Sequence, residues 1–302
     1  MKKILLILSV ICASAFAAQA KLNVVATLPD FGSIAKEIGG DKVEVTVLAK
    51  PTEDPHFVDA RPSFVVQLRT ADVLIDGGAE LELGWLPPLL QNARNPKIEI
   101  GKPGRVQASQ GIRLMNVPTN VTRAAGDVHA LGNPHFLIDP VNVKLIVAQI
   151  ADHFAQVDPA NADLFQANLK KFDATLDVKV ADWQMQLAPY RGAKIVTYHN
   201  DFVYLAERFN LEVVETLEPK PGIAPSPAHL AKVIAKMKAE NAHVILVQPF
   251  QNRKTAETVA RQTDGVVLDI PQQPGAVPNT TTYFDLMDYI VRTLATALAE
   301  KK

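Results

Sequence analysis

One continuous helical pattern near the middle of the chain, from Ala160 to Leu187, limits the fold more than any other feature. Leu164, Leu169, Phe172, Leu176 and Val180 recur at helical spacing along one side of it. At 1.5 Å per residue such a helix spans roughly 42 Å, which is long for a globular protein. It follows Asp158-Pro159 and separates two segments of different character from it. The expected role is a stiff spine joining two lobes.

Both flanking segments alternate strand and helix. Before the spine, Leu22–Thr27 reads as a buried strand broken by Pro29, and Phe31–Ile38 as a helix closed by Gly39-Gly40. Val43–Leu48 is a strand, Pro62–Arg69 a helix opened by proline, Val73–Ile75 a strand and Val141–Val157 a helix. After the spine, Lys194–Thr197, Val213-Val214, Val244–Val247 and Val266–Asp269 read as extended. The helices Phe202–Phe209, Pro227–Glu240, Thr255–Thr263 and Tyr283–Glu300 lie among and after them. Alternation of this kind implies parallel sheets covered on both faces. The expected fold is therefore α/β: two α/β lobes with parallel-type sheets, residues 21–157 and 191–302, joined by a long rigid helix within 158–190. Two such lobes present strand carboxyl ends to a shared cleft, the usual place for a ligand.

Residues 1–20 read as an address. Lys2 and Lys3 precede an apolar run from Ile4 to about Phe16, and Ala18-Gln19-Ala20 supplies a small-x-small cleavage pattern. The run is short for a bilayer span. Export to the periplasm with cleavage after Ala20 is expected. Cys12, the one cysteine, falls inside this segment, and Ile11 before it is not the small residue that a lipoprotein signal needs, so no lipid anchor is expected. Any metal held by the mature chain must then be bound through nitrogen and oxygen. A formal net charge of −1 gives no basic excess, so nucleic acid is not an expected partner.

Seven histidines are the richest source of chemistry. His56 lies in Asp54-Pro55-His56-Phe57 and His135 in Asn133-Pro134-His135-Phe136, both turn-rich segments before helices. His199 follows the strand Lys194–Thr197 at its carboxyl end. Three imidazoles at loop and strand ends suit a borderline metal. Taken alone, a Pro-His pair is more often a turn residue than a ligand. His153, within a helix, His229, at a helix start, and His243, before a strand, read as surface or capping residues. His129 can touch metal or guide it in, but a solvated loop histidine is the commoner case.

Together these segments resemble the metal-binding solute receptors of ABC importers for zinc and manganese, the cluster A-I (cluster 9) family. Four stretches carry the likeness: Val24–Pro29; Asp54-Pro55-His56 with Arg61-Pro62-Ser63; Asn133–Pro140; and Thr197–Phe202 with Tyr204-Leu205. The resemblance implies metal ligation by His56 and His135 from the first lobe and His199 from the second. Many members add an Asp near the final helix. Here Thr281 takes that place, leaving water or Asp285 to fill the fourth position. Asp285 also has a structural reason to open a helix. The long His- and Asp-rich loop of many zinc receptors is absent or reduced to Asp127 and His129.

The implied function is capture of a divalent transition metal, Zn2+ first and Mn2+ second, and delivery to an ABC permease in the inner membrane by a monomer docking through its cleft-side rims. Neutral imidazoles favour zinc, because manganese prefers more carboxylates. A stiff spine restricts hinge motion, so capture should involve small lobe shifts and ordering around His135. A metallochaperone or adhesin of the same fold, a receptor for an organic solute, and a three-histidine zinc hydrolase are the other readings. The hydrolase lacks an H-E-x-x-H pairing.

Overall fold

The computed structural model describes residues 20–119, 126 and 129–301. All of the expected leader except Ala20 lies outside these residues, and so does Asp127. Among the described residues, no helix is long and apolar enough to cross a membrane.

Two parallel four-stranded sheets carry the fold. In the first, β1 (Leu22–Ala26), β2 (Val43–Val47), β3 (Val73–Asp76) and β4 (Arg105–Gln107) lie in the order β2-β1-β3-β4. Its crossovers contain α1 (Pro29–Gly39), α2 (Pro62–Thr70) and α3 (Leu86–Ala93). Next come α4 (Pro140–Val157) and α5 (Ala162–Leu187). The second sheet consists of β5 (Lys194–Thr197), β6 (Glu212–Thr216), β7 (Val244–Val247) and β8 (Val266–Asp269), ordered β6-β5-β7-β8. Here α6 (Val203–Phe209), α7 (Pro227–Glu240) and α8 (Arg253–Thr263) are the crossovers, and α9 (Tyr283–Glu300) ends the chain. The two-lobed α/β architecture expected from the alternation is present. Element β4 and helix α3 had no clear sequence signal. Three residues centred on one valine make a weak strand, and Pro87-Pro88 masks a helix whose first turn tolerates proline.

The strands are rich in valine and isoleucine because both faces of each sheet are covered. Side chains alternate across a strand. Ile195, Val244 and Leu246 therefore face a core that continues into the first lobe, while Val196, Ile245 and Val247 face a separate cluster under α7 and α8. The larger core runs without a break from β1 and β3 through α4, α5 and α9 to the second sheet.

Helix α5 begins later than the sequence suggests, because Pro159–Asn161 forms a 3-10 turn. Its buried residues are Phe165, Phe172, Leu176, Trp183 and Leu187. Phe165, Leu176 and Leu187 repeat every 11 residues, as do Phe172 and Trp183. An 11-residue repeat stays close to the period of an unstrained α-helix, so the stripe runs nearly straight. Phe172 packs against Phe284 of α9 with ring centroids 4.8 Å apart. The Trp183 indole donates to Asp288 Oδ1 at 2.7 Å.

Polar contacts lock the second lobe against the first beside the cleft. Arg208 on α6 makes a two-pronged ion pair with Asp139, the cap of α4, at 2.7 and 2.9 Å. The Tyr204 hydroxyl donates to the Asn133 carbonyl at 2.6 Å and accepts from the Met115 amide at 2.8 Å. Asn133 Nδ2 donates to the Asn200 carbonyl at 2.6 Å.

In an α/β sheet the crevice between diverging crossovers opens at the strands' carboxyl ends. In the first sheet it is plugged. Glu82 accepts from Thr27 Oγ1, just past β1, at 2.6 Å and from the Gly77 amide, just past β3, at 2.8 Å. Burial, and then the neighbouring Asp76 charge, push Glu82 up to about 7. The native protein thus keeps a proton on Glu82 that the unfolded chain releases near 4.5. The stability from this group is full below that value and is lost as pH rises through about 7, a contribution of at most about 3 kcal/mol. Denaturant unfolding of metal-free protein at pH 5 and pH 8 should show this decline, and Glu82→Gln should flatten it. An equal slope in the variant would remove Glu82 as its source.

Candidate metal centre

The crevice of the second sheet is open, and there the three histidines meet. His199 lies just past β5 and Gln248 just past β7, and both line a cavity of about 340 Å³ together with Asp54, His56, His135, Tyr198 and Glu218. One ring nitrogen from each of His56, His135 and His199 lies within 4.8 Å of the other two. Ring centroids are 5.1 Å apart for His56 and His135, 5.2 Å for His135 and His199, and 5.9 Å for His56 and His199. His135 is buried and the other two are half-buried.

Two of the rings are held by the same local device. The Asp54 Oδ1 atom accepts from both the backbone amide and Nδ1 of His56, at 3.0 and 2.8 Å. The Asn133 Oδ1 atom accepts from the same two groups of His135, at 3.0 and 2.9 Å. An Asp or Asn side chain readily hydrogen-bonds the backbone two residues on, and the intervening proline has a fixed φ. The informative sequence unit is thus Asp/Asn-Pro-His, one residue longer than the Pro-His pair. His199 uses a distant partner: its Nδ1 bonds Glu218 Oε2 at 2.7 Å, in the loop after β6.

These bonds settle the tautomers. Ionised carboxylates only accept, and the Asn133 amide is oriented by its Nδ2 bond to Asn200. Each Nδ1 therefore carries the proton, and in the neutral ring each Nε2 is a bare lone pair. Three lone pairs facing one point repel unless a cation joins them. A metal-bound histidine usually donates its other ring N–H to such an acceptor, which fixes the tautomer and the ring orientation.

The electrostatics agree. Burial, then the charges of His56 and His199, hold His135 well below the ordinary histidine value, so it stays neutral. Burial also opposes charge on His199, but the Glu218 hydrogen bond and the Asp201, Glu218 and Asp54 charges outweigh it and raise it. Asp54 is likewise lowered despite burial, by its bonds to His56 and that ring's charge. Asp201 is pushed up to about 6 by burial, countered in part by His199.

Asp285 is not brought to the three histidines. Its Oδ2 accepts from the Thr282 amide at 3.0 Å and from Thr281 Oγ1 at 3.1 Å, while the Asp285 amide donates to Thr282 Oγ1 at 3.1 Å. This is a capping box that closes the start of α9. Thr281 lines a separate surface cavity with Pro29 and Lys36. His129 is placed otherwise than a solvated loop residue: its Nε2 lies 3.1 Å from His56 Nε2. His153, His229 and His243 bond the carbonyls of Pro103, Thr216 and Thr263, respectively. Sequence reasoning missed Glu218, because nothing in its surroundings marks it as the partner of His199.

The sequence model of the family described as zinc-uptake complex component A, periplasmic (ZnuA), matches residues 24–297. The high-affinity zinc uptake system protein ZnuA of Bacillus subtilis (strain 168) is 27% identical over 247 residues, covering 80% of this chain and 75% of that protein. The manganese ABC transporter substrate-binding lipoprotein PsaA of Streptococcus anginosus is 24% identical over 290 residues, covering 93% and 90%. A crystal structure of ZnuA has the same fold, with a TM-score of 0.77 at 23% identity over 92% of this chain and 99% of that one.

Protons and metal compete for the same imidazole nitrogens, and the surroundings of His199 raise its proton affinity. Metal affinity should therefore begin to fall above the ordinary histidine value of 6.5 as pH drops. In Glu218→Gln the acceptor charge is gone, so that onset should move to more acidic pH, while affinity at pH 8 drops by about 10- to 100-fold. Metal titrations of both proteins from pH 5 to 8 measure this. An unchanged onset in the variant would detach Glu218 from His199.

Proposed function

This chain belongs to the ZnuA family of periplasmic zinc-uptake components, and on that footing we propose that it captures a divalent transition metal, zinc in preference to manganese, at His56, His135 and His199 and delivers it to an ABC-type permease. The observation that carries this reading is the convergence of three ring nitrogens whose opposite nitrogens are already bonded. Zinc ranks first because the donors are neutral imidazoles, and manganese favours oxygen. Relatives named for zinc and for manganese both exist, so the cargo is the finer part of the proposal. Those names describe transport components, which supports a receptor over an enzyme.

The metal is cargo here, and the chain's own groups do the work. His56 and His135 stand on the first-lobe side of the cleft and His199 on the second, so a bound ion joins the lobes. Asp54 and Glu218 orient two of the rings and together bring two negative charges to match a dication. Asn133 ties the His135 loop to the second lobe through Asn200. Continuity of the core through α5 and α9 limits closure to small movements. We further take residues 21–157 and 191–302 as the lobes and 158–190 as their connection, with export, cleavage after Ala20 and a monomer without a lipid anchor. The streptococcal relative is named a lipoprotein, so the intact mass of the exported chain is the direct check of the anchor.

Untagged protein stripped with a chelator should rebind one zinc per chain, and manganese more weakly. His135→Ala should weaken zinc binding at least 100-fold while changing metal-free stability by no more than about 1–2 kcal/mol, the scale of its lost hydrogen bonds. Zinc titration beside denaturant unfolding reads both. Wild-type affinity in the variant would overturn the assignment.

A further inference from the structure

We propose that His129 is the fourth protein ligand, completing an all-imidazole shell with His56, His135 and His199. This inference rests on the metal-capture reading and assigns the position that neither Thr281 nor Asp285 occupies.

The first observation is direct. His129 Nε2 stands 3.1 Å from His56 Nε2, with ring centroids 5.1 Å apart. Zn–N bonds of 2.0–2.1 Å at a tetrahedral angle put ligand nitrogens about 3.3 Å apart. The pair has the spacing of two ligands on one ion, and a small shift of the His129 ring toward His135 and His199, which already converge with His56, would bring all four together. The His56 Nδ1 proton is given to Asp54, so the His56 nitrogen facing His129 is a lone pair. A ring at that distance must supply either a proton or a shared cation.

The second observation is independent of that pair. His129 also lines a cavity of about 50 Å³ with His135 and His199, beside Gly132, Asn133 and Pro134. It therefore stands beside His135 and His199 as well, and its own ring reaches His56.

The third observation is that the backbone holds His129 there. The His129 carbonyl accepts from the Gly132 amide at 3.2 Å, and the Ala130 amide donates to Glu80 Oε2 at 2.5 Å. Asn133 then donates its amide to the Met115 carbonyl at 2.8 Å, at the start of the Asn-Pro-His unit. His129 and His135 thus sit at the two ends of one anchored turn. Gly132, at φ +119°, lets that turn close where any Cβ would strike Leu114 and the Met115 carbonyl. Asp285, by contrast, has its carboxylate engaged at the start of α9.

Four neutral nitrogens would sharpen the preference for zinc over manganese, since each nitrogen replaces an oxygen that manganese favours. The test is long-range proton–nitrogen correlation NMR on protein labelled with ¹⁵N-histidine, metal-free and with one equivalent of zinc. In the wild type, Nε2 of four histidines should move to metal-bound positions. In His129→Ala three should move, zinc affinity should fall at least tenfold, and the zinc-to-manganese affinity ratio should shrink. Amide spectra of the metal-free variant verify that it folds, and His129→Gln, which keeps bulk and polarity, should behave like the alanine variant. Movement of only three signals in the wild type, with unchanged affinity in both variants, would overturn the role of His129 and leave the three-histidine site standing. Movement of no signal on adding zinc would overturn both.

Discussion

An imidazole binds metal only through a nitrogen that carries no proton, and the site depends on which nitrogen that is. In His56, His135 and His199 the choice is made by a hydrogen bond on the far side of the ring. Asp54, Asn133 and Glu218 each accept a hydrogen bond from an Nδ1–H, so the lone pairs point inward whether or not an ion is present. Without those acceptors each ring would sample both tautomers and lose part of its affinity to ordering. The acceptors are themselves fixed. Asn133 is tied to Asn200, and the Glu218 carboxylate also accepts from the Gly222 amide at 3.2 Å.

That local order would be lost if the lobes drifted apart, because the rings come from both. The contacts that prevent drift sit beside the site. Asn133 serves three purposes at once: it accepts from His135, donates to the second lobe and offers its carbonyl to Tyr204. The Asp139–Arg208 ion pair clamps the next turn of chain and at the same time caps α4. Behind these contacts the apolar core passes through α5 and α9 without interruption. A wide hinge motion would have to expose that core at about 25 cal/mol for each Å². On the proposed reading, loading and release would proceed by small displacements of loops, and the loop of His135 bonds groups of both lobes.

The fold was largely legible because its periodicities are clean. Valine-rich strands alternate with amphipathic helices, and the central helix has the length of a spine. What escaped detection had weak local signals: β4, with one apolar residue, and α3, hidden behind two prolines. For the site, His56, His135 and His199 were legible from Pro-His units and a strand end, whereas their acceptors were only half so. Asp54 and Asn133 each lie two residues before their own histidine, and the Asp/Asn-Pro-His unit names them. Glu218 is brought to His199 by the parallel pairing of β5 with β6, which sequence spacing does not reveal. Asp285 was drawn in by the family pattern, although Thr282-Tyr283-Phe284-Asp285 is itself a readable capping box. The position of His129 against His56 depends on a turn whose geometry no local pattern states.

Charge supplies the last step from geometry to selectivity. A dication in a half-buried cleft needs compensation, and a carboxylate ligand would place one negative charge directly on the metal. Here the two carboxylates bonded to the rings lie one imidazole away, on Asp54 and Glu218. Through a hydrogen-bonded imidazole they make the ring nitrogen a stronger donor without offering oxygen to the ion. The donor set stays all nitrogen while the site as a whole approaches neutrality. Such an arrangement favours the metals that bind nitrogen well over manganese, which gains most from direct carboxylate contact. On the proposed reading, Thr281 at the position that the family pattern gives to Asp does not by itself leave the ion uncompensated.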